Sequence, residues 1–576
     1  MLDVLLRGGT VVDGTGAPGR QASVGVRDGR VVLVDERADE PAARTIDAEG
    51  FVVAPGFIDL HTHYDAQLFY DPALSPSPLH GVTTVVGGNC GLTLAPVAAR
   101  DESWLLRLLA RVESIPVEAL EAGLSFRWRT FAEFLDAVGQ AGPAANIGFL
   151  VGHSAVRRAV MGEEASSRAA RDDELSAMQQ LLSACISAGG MGFSTANPAT
   201  QLDGDGRPTP PNFATRDEFV ALAAVCGAHE GTSIEFIPDS FIRGFSDDDV
   251  ELMAAMSAAA DRHLNWNTPL INRNDPTLYK RQLHASDVAA SRGGRVVPMF
   301  NPQNLQIQHD FDPGYVFRAL PGWGWLFELD VAARTDALRD PARRRQLEEA
   351  AAAPTAGLAV VVRNWATYRV NDVRGPDGRS LSGRRVVDLA AEWGMSPFDA
   401  MVEAAVRCGL QVGFVRPQYP EADDWLWNAR LEVLTDPRVV LQASDAGAHL
   451  DMMAGANFPT RCFAELVRER GVFTVEELVR RFTSVPADLY GLVGRGRVVE
   501  GAWADLVVFD PATVGATPLE TVHDLPAGSA RLTTGSVGVA HVLVAGRPVV
   551  SDGRYTGDGP GRVLRSGRDT VTVRAR

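Results

Sequence analysis

Residues 52–65 read VVAPGFIDLHTHYD. An apolar, β-branched run leads into two histidines, His61 and His63, spaced two apart. At the end of an extended strand, positions i and i+2 face the same way, so both imidazoles point to one side. An apolar run of this kind suits a strand buried on both faces, as in a parallel sheet. In a β/α barrel the C-terminal strand ends form the reaction centre. Two convergent imidazoles there suit zinc or another borderline divalent ion.

Working outward, further apolar runs lie at 82–87, 146–151, 190–194, 232–238, 263–268, 295–300 and 438–444. They alternate with helix-length text at 101–115, 131–139, 168–188, 217–229, 247–261 and 283–292. With 52–60 the strand-like runs number eight, and the alternation predicts a TIM-like (β/α)8 barrel. Residues 2–13 and 23–34 are short β-rich runs broken by Gly and Asp-Gly, and 504–510, 536–550 and 551–555 repeat that texture. The two chain ends are therefore expected to pair into one small β-sandwich domain. The expected division is 1–55 for its N-terminal part, 56–490 for the barrel and 491–576 for its C-terminal part. Residues 301–437 are too long for one βα loop and read as an elaboration over the barrel mouth or side, with helical text at 333–351 and 394–408 and a strand-like run at 357–363. A lid and inert packing are both open readings of it.

The chain has 576 residues, 45% of them hydrophobic, and a formal net charge of −17. That balance suits a globular protein and excludes the basic footprint of a nucleic-acid partner. The expected partner is a small-molecule substrate, and a homo-oligomer is compatible with the reading. Five cysteines, none in a CxxC pair, argue against a disulfide framework and for a reducing compartment. Neither a signal peptide nor an apolar membrane span is visible, so a cytoplasmic protein with no membrane partner is expected.

Other residues join the histidines. Asp445, in ASDAGAH (443–449), ends the eighth run; a carboxylate there can ligate a metal and take a proton from water, or merely cap a turn. Cys90, in VVGGNCG (85–91), ends the second; it reads as a thiolate ligand or as an inert buried cysteine. Glu235, inside TSIEFIP (232–238), is unusual in an apolar strand unless paired or metal-bound. Asn265 and Asn267, in HLNWNTP (263–269), can orient a substrate carbonyl or satisfy loop backbone. His153 reads as an oxyanion stabiliser and Arg157 as a contact for an anionic group, with capping and surface roles as alternatives. His449 reads as a substrate or supporting group behind Asp445. The sole lysine, Lys280, follows the sixth run and sits at no strand end, which excludes a carbamylated lysine as a metal bridge.

The segments PGFIDLHTHYD, GVTTVVGGNCG, GHSAVRRAVMG, GFST and SDAGAH together resemble the D-aminoacylase (N-acyl-D-amino-acid deacylase) branch of the amidohydrolase superfamily. The resemblance runs from about residue 2 to residue 550. It implies a zinc hydrolase that removes an acyl group from the nitrogen of a D-amino acid. It places the family's cysteine ligand on Cys90, its first-strand histidines on His61 and His63, and its catalytic aspartate on Asp445. The sequence departs from that branch at the ends of the fifth and sixth strands, where metal-binding histidines are replaced by SIEFIP and LNWNTP. The family's lysine after the sixth strand and its carboxylate-binding arginine have no clear match either. The expected site is one principal divalent ion, zinc, held by His61, His63 and Asp445 with Cys90 as ligand or bridge, and with Glu235 completing the shell or holding a weaker second ion. Hydrolysis of another amide, a cyclic amide or a carbamate is an alternative, as is a metal-dependent lyase reaction on the same scaffold.

Overall fold

The Asp28–Gly29 pair takes positive φ at both positions, 53° and 72°, the conformation a tight right-twisted hairpin demands. It joins β2 (Arg20–Arg27) to β3 (Arg30–Asp35), after β1 (Leu2–Val11) has paired antiparallel with β2. β1 is bulged between Leu6 and Gly9. Its first half pairs in parallel with β4 (Ala42–Asp47) and its last residues with β5 (Val52–Pro55). The computed structural model describes residues 1–36, 40–312, 315–318, 320–352, 362–375, 380–420 and 423–575.

The run 52–60, expected as one strand, is two. Gly56 divides them: a Cβ there would meet the Thr83 side chain at 2.2 Å, so the chain must turn at a residue without one. β5 stays in the terminal sheet, and β6 (Phe57–Asp59) is the first barrel strand.

The barrel continues through β7 (Val82–Gly87), β8 (Asn146–Phe149) with its continuation β9 (Val151–Gly152), β10 (Gly192–Ala196), β11 (Ser233–Ile237), β12 (His263–Asn267) and β13 (Arg295–Phe300). Helices close to the expected ranges, among them Phe131–Ala141, Asp172–Ser187, Arg216–Gly227 and Asp247–Ala260, cover its outside. The lumen is filled by Ile58, Leu60, Val86, Leu150, Met191, Val297 and Met299, the packed interior such a barrel requires.

Between β13 and the last barrel strand lies the excursion. It holds β14 (Gln306–Asp310), β15 (Arg369–Asn371) and β16 (Gly413–Pro417) in one antiparallel sheet, with helices that include Val331–Arg339 and Pro397–Arg407. Phe311, Trp323, Tyr368, Phe398 and Phe414 give it a core of its own. Gln308 N–H donates to Met452 O and Gln303 Nε2 to Gly455 O, at 2.8 and 2.9 Å. These bonds tie the excursion to the loop that follows Asp445. Most of the strand-like run 357–363 lies outside the described residues.

β17 (Val440–Leu441) pairs in parallel with β13. The ladder is shorter than the run 438–444, because the chain then turns across to the first strand. Thr62 and Ala446 form a parallel bridge that closes the barrel. β18 (Leu506–Phe509) returns to pair with β5, and strands Val539–Val544, Arg547–Ser551 and Arg554–Tyr555 complete a nine-stranded sheet built from both chain ends. Leu6, Val24, Val31, Val53, Leu506 and Leu543 share its core. This is the α/β barrel with an accessory β-sandwich.

Two parts of 491–576 leave that sandwich. Leu532 N–H donates to Leu450 O at 2.6 Å, near the barrel mouth. The tail beyond Tyr555 runs beneath the barrel, where Leu564 is fully buried and its N–H donates to Ile147 O at 2.8 Å. A barrel floor open to water would leave the lumen core exposed, and Leu564 with Leu489, Tyr490 and Leu492 closes it. Among the described residues no helix is long and apolar enough to cross a membrane.

Candidate metal centre

His61 and His63 lie just beyond the end of β6, and the backbone there is laced to both neighbouring strands. Thr62 N–H donates to Val86 O at 3.0 Å, His63 N–H to Ala446 O at 2.7 Å, and Asp445 N–H to His61 O at 3.2 Å. The first and last barrel strands therefore meet where the histidines and Asp445 project. Both rings are buried, with centroids 5.2 Å apart and planes at 72°. Buried Asp59 accepts from His61 N–H at 3.4 Å and from the Ser444 hydroxyl, which supports both strand ends from below.

Four donor atoms converge. His61, His63 and Cys90 each offer an atom within 4.8 Å of the other two. Cys90 Sγ lies 3.6 Å from His61 Nε2 and 3.9 Å from His63 Nε2. Asp445 Oδ1 lies 3.1 and 3.7 Å from the same two nitrogens, on the mouth, with its side chain 28% exposed. Tetrahedral zinc, with bonds of about 2.0 Å to nitrogen and about 2.3 Å to sulfur, sets its donors about 3.3–3.5 Å apart. The spacings are those of a metal site. Cys90 and Asp445 both adopt φ of 56°, a left-handed conformation uncommon for residues other than glycine and concentrated at functional sites.

The charge balance asks for the same partner. Asp65, Glu113, Glu235 and Asp445 surround the imidazoles, and Asp65, Glu113 and Glu235 are buried. Burial raises Glu235 to about 8 and Asp65 to about 6. Burial also drives the Cys90 thiol up, and Glu235, Glu113 and Asp445 push it further. For His63 burial pulls downward, but Glu113 and Asp445 outweigh it and raise the ring to about 9. For Asp445 burial acts upward, yet its hydrogen bonds to His61 and His63 hold it well below the usual carboxylate range. A buried group of anions around two imidazoles and a thiol is the environment a divalent cation neutralises.

Glu113 had no motif to announce it. It caps the helix Glu102–Val112, its carbonyl accepts the His449 N–H at 2.6 Å, and its Oε1 lies 3.6 Å from His63 Nδ1. A carboxylate at that nitrogen orients the ring and leaves Nε2 for a metal.

The remaining expected residues divide. Glu235 is at the centre: Oε2 accepts the Cys90 N–H at 3.1 Å, while Oε1 is buried without a protein partner. Asn267 Nδ2 lies 3.4 Å from His61 Nε2. Asn265 sits one layer lower, its Oδ1 taken by the Tyr490 hydroxyl at 3.0 Å. His449 follows Asp445 at the mouth with φ of 52° and a buried, unpartnered Nδ1. His153 and Arg157 are not placed for the roles expected of them. His153 Nδ1 meets Thr195 Oγ1 and Nε2 meets Glu218 Oε1, each at 2.9 Å, and Arg157 pairs with the same Glu218. All three side chains are buried. Both ring nitrogens have protein partners and, of the buried guanidinium, only Nε has none, so the cluster ties the His153–Met161 helix to the Arg216–Gly227 helix. Lys280 is exposed and pairs with Glu432 at 3.1 Å.

A family model described as the amidohydrolase family matches residues 44–550. D-aminoacylase of Alcaligenes xylosoxydans xylosoxydans is 29% identical over 566 residues, covering 98% of this chain and 97% of that protein. N-acyl-D-glutamate deacylase of the same organism is 28% identical over 564 residues, covering 98% and 96%. The crystal structure of N-acyl-D-glutamate deacylase from Bordetella bronchiseptica, complexed with zinc and a phosphonate inhibitor, is 27% identical with a TM-score of 0.63, covering 98% of this chain and 100% of that one. Matched from end to end and carrying its own buried donor cluster, the chain belongs to the amidohydrolase family, as a metal-dependent hydrolase of non-peptide C–N bonds on the D-aminoacylase branch.

Proposed function

We propose that the protein hydrolyses the amide bond of an N-acyl-D-amino acid, with Asp445 as the proton-transferring residue. The observation that carries this reading is the position of Asp445: it is 3.1 Å from His61 Nε2 yet 28% exposed at the mouth, while the imidazoles beside it are buried. Two of the relatives are named D-aminoacylase and N-acyl-D-glutamate deacylase.

A zinc ion here would be held by His61, His63 and Cys90, with Asp445 adjoining, and would supply Lewis acidity toward the scissile carbonyl and acidify water. Asp445 takes a proton from the attacking water and returns it to the departing nitrogen, so that a C–O bond forms as the C–N bond breaks. Glu113 keeps His63 in the tautomer that presents Nε2. Asn267 and His449 line the same mouth and orient the acyl group. Glu235 Oε1, buried and without a protein partner, is the group available to a second, weaker ion.

The test is a panel of N-acyl-D- and N-acyl-L-amino acids, cyclic amides and carbamates in water labelled with heavy oxygen, read by mass spectrometry. One label is expected in the acid released from an N-acyl-D-amino acid. Asp445→Asn is expected to lower turnover about 10²–10⁴-fold. If metal-loaded enzyme leaves every N-acyl-D-amino acid intact while another amide turns over, the substrate assignment falls.

A further inference from the structure

The Cys90 thiol sits on a turn that no ordinary residue pattern would hold. Gly88, Cys90 and Gly91 all have positive φ, at 73°, 56° and 73°. Its backbone N–H groups go to side chains. Gly88 N–H donates to Asp65 Oδ2 at 3.2 Å, Cys90 N–H to Glu235 Oε2 at 3.1 Å, and Gly91 N–H to Ser194 Oγ at 3.2 Å. The Ser194 hydroxyl in turn donates to Gly88 O. One buried hydroxyl therefore staples the first and last residues of the turn.

The Ser194 and Glu235 contacts come from one layer of the barrel. Gly152, Ser194 and Glu235 are register partners on β9, β10 and β11. The turn rests on that layer: a Cβ on Gly152 would lie 2.7 Å from the carbonyl carbon and oxygen of Gly91. Ser194 and Glu235 are fully buried. Resting on the reading of Cys90 as a metal ligand, we propose that Ser194 and Glu235 are positioning residues that hold the Cys90 thiol against the His61–His63 pair. Ser194 lies in the GFST segment, to which the proposed reaction assigns no task.

The backbone argument is direct. A non-glycine residue in the left-handed region is uphill, and the surrounding structure must enforce it. Without Ser194 Oγ the Gly91 N–H is left buried and unpaired and the turn loses its staple. The thiol then has no fixed direction toward the two Nε2 atoms.

The experiment uses the full-length protein loaded with cobalt(II), where a coordinated thiolate produces a sulfur-to-metal charge-transfer absorption. Cys90→Ser provides the spectrum without that absorption, and far-UV circular dichroism confirms the fold of each variant. Ser194→Ala and Glu235→Ala are expected to lose most of the charge-transfer intensity and to weaken cobalt binding about 10–100-fold. Ser194→Thr and Glu235→Gln are expected to keep the charge-transfer absorption, because a hydroxyl and an amide oxygen still accept the two N–H groups. A wild-type spectrum and affinity in Ser194→Ala and Glu235→Ala would overturn the proposal. If Ser194→Ala does not fold, the Glu235 pair decides: loss of the absorption in Glu235→Ala with retention in Glu235→Gln supports it, and loss in both overturns it. A wild-type protein without any sulfur-to-cobalt absorption would remove the Cys90 reading itself, and the proposal with it.

Discussion

Glu218 is the residue whose removal tests the structural assignment of His153 and Arg157 most sharply. Its carboxylate pairs with Arg157 and accepts from His153 at 2.9 Å, and the three side chains are at most 1% exposed. Arg157 also donates to Arg168 O at 2.8 Å, but among the described residues its charge pairs with no other carboxylate. Glu218→Leu keeps the volume and strands a guanidinium in the core. Breaking a buried pair from one side costs about 3–5 kcal/mol, whereas replacing both partners by apolar groups is far milder. Glu218→Leu with Arg157→Met is therefore expected to be more stable than Glu218→Leu alone, with a coupling of several kcal/mol in the double-mutant cycle. Urea unfolding followed by tryptophan fluorescence and circular dichroism measures all four corners. A single-variant loss below about 1 kcal/mol, or a double variant no better than the single, would refute the reasoning. His153→Gln offers a second route: if it abolished turnover at unchanged stability, His153 would belong to the reaction after all.

Other outcomes follow from the same geometry. Glu113→Gln is expected to weaken metal binding about 10–100-fold, since His63 loses the carboxylate at its Nδ1; metal-buffer titration reads it, and an unchanged affinity would separate Glu113 from the centre. Burial lowers His80 from 6.5 to about 4, and His263 and His309 to about 3. At these three sites the folded state refuses protons that the unfolded chain accepts: the stability they contribute is complete above about pH 6.5, falls with acidification, and stops falling below about pH 3. For His80 alone the loss at pH 5 is roughly 2 kcal/mol; the stability difference between wild type and His80→Gln is expected to shift by that amount against wild type between pH 7 and pH 5, and a difference in urea midpoint that stays constant would contradict it. Gly192 has φ of 132°, and a Cβ there would lie 1.9 Å from Ser233 O. Gly192→Ala is expected to cost at least about 2–3 kcal/mol, and a thermal midpoint within a degree of wild type would show that β10 and β11 can part there.

The sequence by itself determined the periodic features and the local ones. Apolar runs alternating with helical text announced eight barrel strands, because a parallel strand buried on both faces leaves a continuous apolar signature. The i, i+2 spacing placed His61 and His63 on one side, because a strand repeats every two residues. The strand-end positions of Asp445 and Cys90 were legible for the same reason. Tertiary structure alone decided what depends on distant segments meeting. Gly56 splits one apolar run between two sheets because Thr83 packs against it, and Leu564 leaves the terminal sheet because the barrel floor needs an apolar plug. Glu113 reaches His63 from a helix end with no motif of its own. His153 and Arg157, beside a strand end and suited to catalysis by type, turn instead to Glu218, sixty-odd residues along the chain. A side chain's partner is set by the packing of whole elements, and neither residue type nor local spacing carries that information.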